Sequence, residues 1–200
     1  TIPYTSSFIT GGDNPNSEFG KSVSISDDGT VLVVGAPGYD SSTATGNHNH
    51  YGNQGAVHTY IWDSVGQNYI SRGSLLERNP EGHGFGESLC LTGNGNTLVV
   101  SSYESMSAST GNSKAKGKVH VFDWTSNSWT QRNFEMESPV TYSGISRYND
   151  TYGDSLTCNS DGTELLIGSS LYWLTQANGD PLSGGLVFNP QGIYSYSLSL

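Results

Sequence analysis

The side chains best suited to binding chemistry fall in three stretches of the chain: Tyr39, Asp40, His48, His50 and Tyr51; Tyr103 and Glu104; Tyr172 and Trp173. Tyrosine and tryptophan offer flat surfaces with one polar tip, and Asp, Glu and His add directional hydrogen bonds, so the set suits recognition of a protein or glycan ligand. The competing reading makes them solvated loop residues under no chemical constraint. His48 and His50 are near enough to address one metal ion, but zinc takes a third and usually a fourth ligand, and none stands nearby. No metal is assigned on that ground. No catalytic residue is assigned either, since the sequence holds no nucleophile elbow, P-loop, dinucleotide fingerprint or paired-histidine zinc motif.

The elements that would position these residues follow from an internal repeat. Phe19-Gly20-Lys21-Ser22-Val23, Phe85-Gly86-Glu87-Ser88-Leu89 and Tyr152-Gly153-Asp154-Ser155-Leu156 are copies of one pattern, 66 and 67 residues apart. Each runs into a turn signal, Asp28-Gly29, Asn94-Gly95 or Asp161-Gly162, and then into a hydrophobic run, Val31 to Val34, Leu98 to Val100 or Leu165 to Ile167. The spacing predicts a β-hairpin in each copy, closed by a two-residue turn. A third strand follows, matched between Gly55–Trp62 and Gly117–Trp124, with Gly192–Leu198 as a weaker copy aligned on its glycine. A fourth is expected at Asn68–Arg72 and Ser128–Arg132.

Four antiparallel strands per repeat define one blade of a β-propeller. The predicted fold is therefore all-β: three four-stranded repeats of about 66 residues, at 10–76, 77–137 and 138–200, with 1–9 as an outer strand completing a blade. Propellers typically carry about 4 to 8 blades, so three imply an arc of a larger propeller or half of a six-bladed ring. Expected partners thus include further blades, from the same chain or from a second copy. The long connections at 38–54, 103–116 and 171–191 should gather on one face, which makes them the expected ligand surface.

Composition narrows the partners. Lys and Arg number 8 against 18 Asp and Glu, a formal charge of −10, so no basic footprint exists for nucleic acid. No apolar run is long enough for a membrane span. The sequence is rich in Ser, Thr and Asn and poor in Lys, and Asn149-Asp150-Thr151 is its single N-glycosylation sequon, expected in a surface connection. Together these point to an extracellular or cell- or particle-surface setting. Lys114, Lys116 and Lys118 read as a solvated strand edge.

Cys90 takes the repeat position of Ser24 and Cys158 that of Ile25, so they point to opposite faces of their strands, which argues against a mutual disulfide. His58 and His120 share a repeat position and are read as structural. Trp62, Trp124, Trp129, Tyr69 and Tyr4 are read as packing between outer strands.

Phe19-Gly20-Lys21-Ser22 followed by Gly35-Ala36-Pro37 resembles the FG-GAP repeat of integrin α subunits and related propellers. The second repeat has Ser101-Ser102-Tyr103 in place of Gly-Ala-Pro, and the third Gly168-Ser169-Ser170. The resemblance implies a non-catalytic extracellular binding, adhesion or assembly module. It also implies calcium in the first hairpin of a repeat, but these loops bring only one or two carboxylates each, so no cofactor is assigned. A lectin-like carbohydrate-binding propeller is the first alternative. A propeller glycoside hydrolase or lyase is the second, drawing on isolated acids such as Glu18, Glu87 and Asp154, although Glu87 and Asp154 share one repeat position with Lys21.

Overall fold

A computed structural model describes residues 9, 16–40, 54–77, 82–106, 114–138, 147–169, 171–175 and 192–197. Among these residues every regular element is a β-strand, and no helix is long and apolar enough to cross a membrane. The first blade is β1 (Ser22–Ile25), β2 (Val31–Ala36), β3 (Ala56–Asp63) and β4 (Asn68–Ser71), antiparallel and paired in that order, with the short β5 (Leu76–Glu77) added to β3. The second blade is β7 (Leu89–Leu91), β8 (Thr97–Met106), β9 (Lys114–Thr125) and β10 (Ser128–Glu137). Its sheet is widened by β6 (Gly82–His83) on β8, and by β11 (Arg147–Asp150) on β9 with β14 (Leu171–Thr175) beyond it. The third blade shows β12 (Ser155–Cys158), β13 (Glu164–Ser169) and β15 (Gly192–Ser197).

The hairpins form where the repeat predicts them, but the turns are longer than two residues. Ser26 N donates to Val31 O at 2.9 Å and Gly29 N to Ser26 O at 2.9 Å, leaving Asp27 to Thr30 as the loop. Only the glycine takes positive φ (Gly29 +73°, Gly95 +71°, Gly162 +74°). The preceding Asp or Asn instead folds its side chain back: Thr30 N donates to Asp28 Oδ1 at 2.9 Å, Asn96 N to Asn94 Oδ1 at 2.9 Å and Thr163 N to Asp161 Oδ1 at 3.0 Å. A side-chain cap thus substitutes for the paired positive-φ geometry of a two-residue turn.

Each blade presents two different apolar faces because strand side chains alternate. One core joins blades 1 and 2 through Val31, Val33 and Val57 from the first and Phe85, Leu89, Leu91, Leu98, Val100 and Phe122 from the second. Another joins blades 2 and 3 through Cys90, Val99, Val119 and Val121 from the second and Tyr152, Leu165 and Ile167 from the third. The two junctions use equivalent positions, one step further round. At the inner ends the loops are tied together, with Asp27 N donating to Gly93 O (2.9 Å), Gly93 N to Ser160 O (2.8 Å), and the Ser160 hydroxyl to the Asp27 carboxylate. Adjacent sheets converging on linked inner loops give the radial arrangement of a propeller.

The register of β15 corrects the alignment on Gly192. Ile193 pairs with Gly168 and Tyr194 with Ile167, whereas in blade 1 Val57 pairs with Gly35 and His58 with Val34. Ile193 is therefore the counterpart of Val57, one residue later than a glycine match would give. A one-residue shift exchanges the two faces; here it turns Tyr194 and Tyr196 toward the core shared with blade 2.

Candidate functional site

The recurrent aromatic-Gly pair is where one blade meets the next. Gly20, Gly86 and Gly153 have φ of +94°, +94° and +92°, a region that side chains beyond hydrogen avoid. Each donates its N–H back across its own hairpin, Gly20 to Gly35 O, Gly86 to Ser101 O and Gly153 to Gly168 O, all at 3.0 Å. The preceding ring then enters the neighbouring blade. Phe85 is 2% exposed and its backbone bridges to Gly55; Tyr152 is 0% exposed and its carbonyl lies where a Cβ on Gly117 would stand. Phe-Gly is thus a plug, and the glycine opening the third strand of the preceding blade is its socket.

Between blades 1 and 2 the outer seam is closed by Arg72, which is 8% exposed. Its guanidinium stacks 4.3 Å over Trp124 and donates to Gly95 O and, at 2.8 Å, to Asn96 Oδ1. Burial lowers its pKa from the usual arginine value. Trp129 Nε1 donates to Thr59 Oγ1 at 3.2 Å across the same seam. Trp62 with Tyr69, and Trp124 with Trp129, form matching edge-to-face pairs at 5.1 and 5.2 Å, the packing role expected of them. His120 is fully buried between Ser102 Oγ (2.9 Å) and the Glu135 carboxylate (3.3 Å), while His58 packs 5.0 Å from Phe19. Both belong to the blade framework.

Of the residues singled out for ligand binding, Tyr39 and Tyr103 are engaged in contacts within the blade framework. His48, His50 and Tyr51 lie outside the described residues. Tyr39 donates its hydroxyl to Glu77 Oε1 at 3.2 Å and packs edge-on near His58, beside the half-buried Asp40. Tyr103 and Glu104 are not in a loop: β8 continues through both, pairing them with Gly117 and Lys116. The Tyr103 hydroxyl reaches Asp154 Oδ1 of blade 3 at 3.1 Å, and burial first, then the Asp154 and Glu87 charges, push its pKa up. Tyr172 and Trp173 are in β14, whose Trp173 pairs with Asn149. The sequon asparagine accordingly sits in β11, between β14 and β9, and not in a surface connection. Lys118 is likewise no solvated edge, being 8% exposed and paired with Glu135 at 3.0 Å and Glu137 at 2.9 Å.

The hairpin loops do not fit a hard cation. Asp28 Oδ1 already accepts from Ser26 Oγ (2.7 Å), Thr30 N (2.9 Å) and Thr30 Oγ1 (2.8 Å), and these bonds hold its carboxyl below the ordinary range. Asp161 is lowered by the same bonds from Thr163. Asn94 makes the equivalent bonds without a charge. One oxygen serving a turn is far from the six or more a calcium ion requires. Of the acids named as hydrolase candidates, Glu87 pairs with Lys21 at 3.6 Å and Asp154 accepts from Tyr103, an ion pair and a tether along one repeat position.

The apolar end faces implied by three blades without outer neighbours are present. Val23 and Ile25 are 63% and 52% exposed, although their counterparts Leu89 and Leu91 are 6% and 7% exposed against blade 1. At the other end Leu166 and Ile193 are 40% and 74% exposed, where Val99 and Val119 are fully buried against blade 3. The signal was present in the repeat, since the same apolar positions recur in the end blades.

The fold defines a β-propeller module whose blades meet at aromatic-Gly pairs. Residues 8–60, which include the first aromatic-Gly pair, match the family model described as FG-GAP repeat. The periplasmic gluconolactonase PpgL of Pseudomonas aeruginosa is similar in structure, with 14% identity and a TM-score of 0.40 over 74% of this chain and 36% of that one. This chain thus spans about a third of the length of that protein. No curated protein matches the sequence.

Proposed function

We propose that this chain is a non-catalytic binding and assembly module of a cell or particle surface, whose end faces mate with further blades of its own repeat type. The observation that carries this reading is the exposure of Val23 and Ile25 at one end and of Leu166 and Ile193 at the other, at positions that are buried or half-buried wherever a neighbouring blade is present. Apolar sheet faces of this kind are costly in water and mark interaction surfaces. The FG-GAP match in the first repeat supports a surface module, and the connections between second and third strands are where a protein or glycan ligand would be held.

The test is the mass of the native particle and of the chain from its natural source, repeated with Ile25→Asp. A longer natural chain identifies the extra blades as part of the same polypeptide; a multiple of this chain that dissociates on Ile25→Asp identifies a second copy. A stable monomer of this length, unaffected by Ile25→Asp, sinks the assembly reading. Glycan turnover abolished by changing one loop carboxylate sinks the non-catalytic one.

A further inference from the structure

The opposite strand faces of Cys90 and Cys158 do not separate them, because the cysteines belong to adjacent blades and each points at the other's blade. Both line the core between blades 2 and 3, and both are thiols. Strands β7 and β12 run side by side, clamped by two hydrogen bonds, Leu156 N to Ser88 Oγ at 3.0 Å and Gly93 N to Ser160 O at 2.8 Å. Cys90 and Cys158 each lie two residues beyond the first clamp and just before the second, so the clamps hold them in register.

The junction of blades 1 and 2 gives an independent measure of the reach. There the counterparts of Cys90 and Cys158 are Ser24 and Leu91, and Leu91 N donates to Ser24 Oγ at 3.2 Å. A γ atom at the position of Cys90 therefore touches the residue at the position of Cys158. We propose that Cys90 and Cys158 are a redox-active pair that closes to a disulfide and staples blade 2 to blade 3. The interaction between the two thiols, with the burial of Cys90, pushes the Cys90 thiol up, while the same interaction lowers that of Cys158 and favours its thiolate.

The half-buried Cys158 is the first to react, and the oxidant is a peroxide small enough to reach it. The Cys158 thiolate attacks one peroxide oxygen, the O–O bond breaks, and the departing hydroxide takes a proton to leave as water, giving a sulfenic acid. The Cys90 sulfur then attacks Cys158 Sγ; the S–O bond breaks and the hydroxyl departs as a second water with the Cys90 proton. Two thiols are oxidised by two electrons and one peroxide is reduced to two waters. A thiol reductant reverses the bond by exchange.

The experiment treats the whole protein with hydrogen peroxide, alkylates it in denaturant without reduction, and reads the intact mass and peptide map. The expected product has lost two hydrogens, takes up no alkyl group, yields one cross-linked peptide containing both cysteines and unfolds at higher urea than the reduced form. Dithiothreitol restores two alkylatable thiols. In Cys90→Ser the same treatment should carry Cys158 to the sulfinic acid, for lack of a resolving partner. Two alkylated thiols after peroxide, separate sulfinic acids in the unaltered protein, or a disulfide between chains would each overturn the proposal.

Discussion

Gly20 and Gly86 occupy the same place in the aromatic-Gly motif with the same φ of +94°, yet only one faces a neighbouring blade. A Cβ on Gly20 meets nothing within 4 Å, whereas on Gly86 it meets Ala56 O at 2.8 Å, Gly35 Cα at 3.2 Å and Val57 Cγ2 at 3.2 Å. Gly20→Ala should therefore cost only backbone strain, about 1–3 kcal/mol for a side chain held in that region. Gly86→Ala carries the same strain plus overpacking against a carbonyl that cannot yield without moving β3, about 1–3 kcal/mol more. For a chain of this size each kcal/mol lowers the melting temperature by about 2–4 °C, so Gly86→Ala should melt about 2–12 °C below Gly20→Ala. Urea titration followed by tryptophan fluorescence reads the same difference, because Trp124 and Trp129 lie on the affected seam. Equal losses for the two variants in the monomer would refute the plug-and-socket account and leave the motif glycine needed for its φ alone. In an assembled particle the two losses should converge, since Gly20 would then face a blade as well.

Arg72→Ala removes a desolvated cation–π stack and two hydrogen bonds to oxygens of blade 2, and should destabilise the protein by about 3 kcal/mol, read as the urea midpoint. Arg72→Lys, which keeps the charge but loses the planar fork, should recover less than half, and a loss below about 1 kcal/mol for alanine would count against this seam. The carboxyls of Asp28 and Asp161 are lowered by side-chain and backbone hydrogen bonds, and that of Asp123 by the Arg132 guanidinium at 2.7 Å. A depressed folded-state pKa adds stability that is complete above the unfolded value of about 4 and lost as pH falls through the folded values below it. Stability from these groups should thus be flat at neutral pH and fall only in acid. Asp28→Asn should leave the neutral-pH melting temperature unchanged, because Asn94 already makes the same cap, and should flatten the acid limb; an unchanged acid limb would remove Asp28 from its cause.

The repeat was legible because it is local. Phe-Gly, the Asx-Gly turn and the alternating run each leave a mark within a few residues, and they located all three hairpins. Register and turn length were less legible: Gly192 looked like Gly55, but the tyrosines of β15 align by their burial against blade 2, a tertiary preference with no counterpart in spacing. The loop placement of Tyr103 and Glu104 is corrected for a related reason. Tyr103 and Glu104 sit where strand β8 simply continues, pairing with β9 out to Met106 and Lys114, and nothing in their types distinguishes a long strand from a polar connection. Arg72 was seen only as a repeated arginine. Its counterpart Arg132 turns instead to Asp123 in its own sheet, so recurrence concealed two different roles.

The cysteines show why face assignment within a strand is not enough in a radial fold. In a single sheet, residues of opposite parity are divided by the sheet. Between neighbouring blades the geometry inverts, because the face that leaves one blade meets the face that receives it on the next, and these have opposite parity. Ser24 with Leu91 and Cys90 with Cys158 are the same pair seen at successive junctions. The same rule relates the two ends of the array: Val23 and Ile25 have the parity of a receiving face, and Leu166 and Ile193 that of a leaving one. The ends are complementary to each other and not to themselves, so a second copy would join head to tail, a contact that forms a closed ring or an open filament according to its rotation and never a face-to-face dimer of like ends.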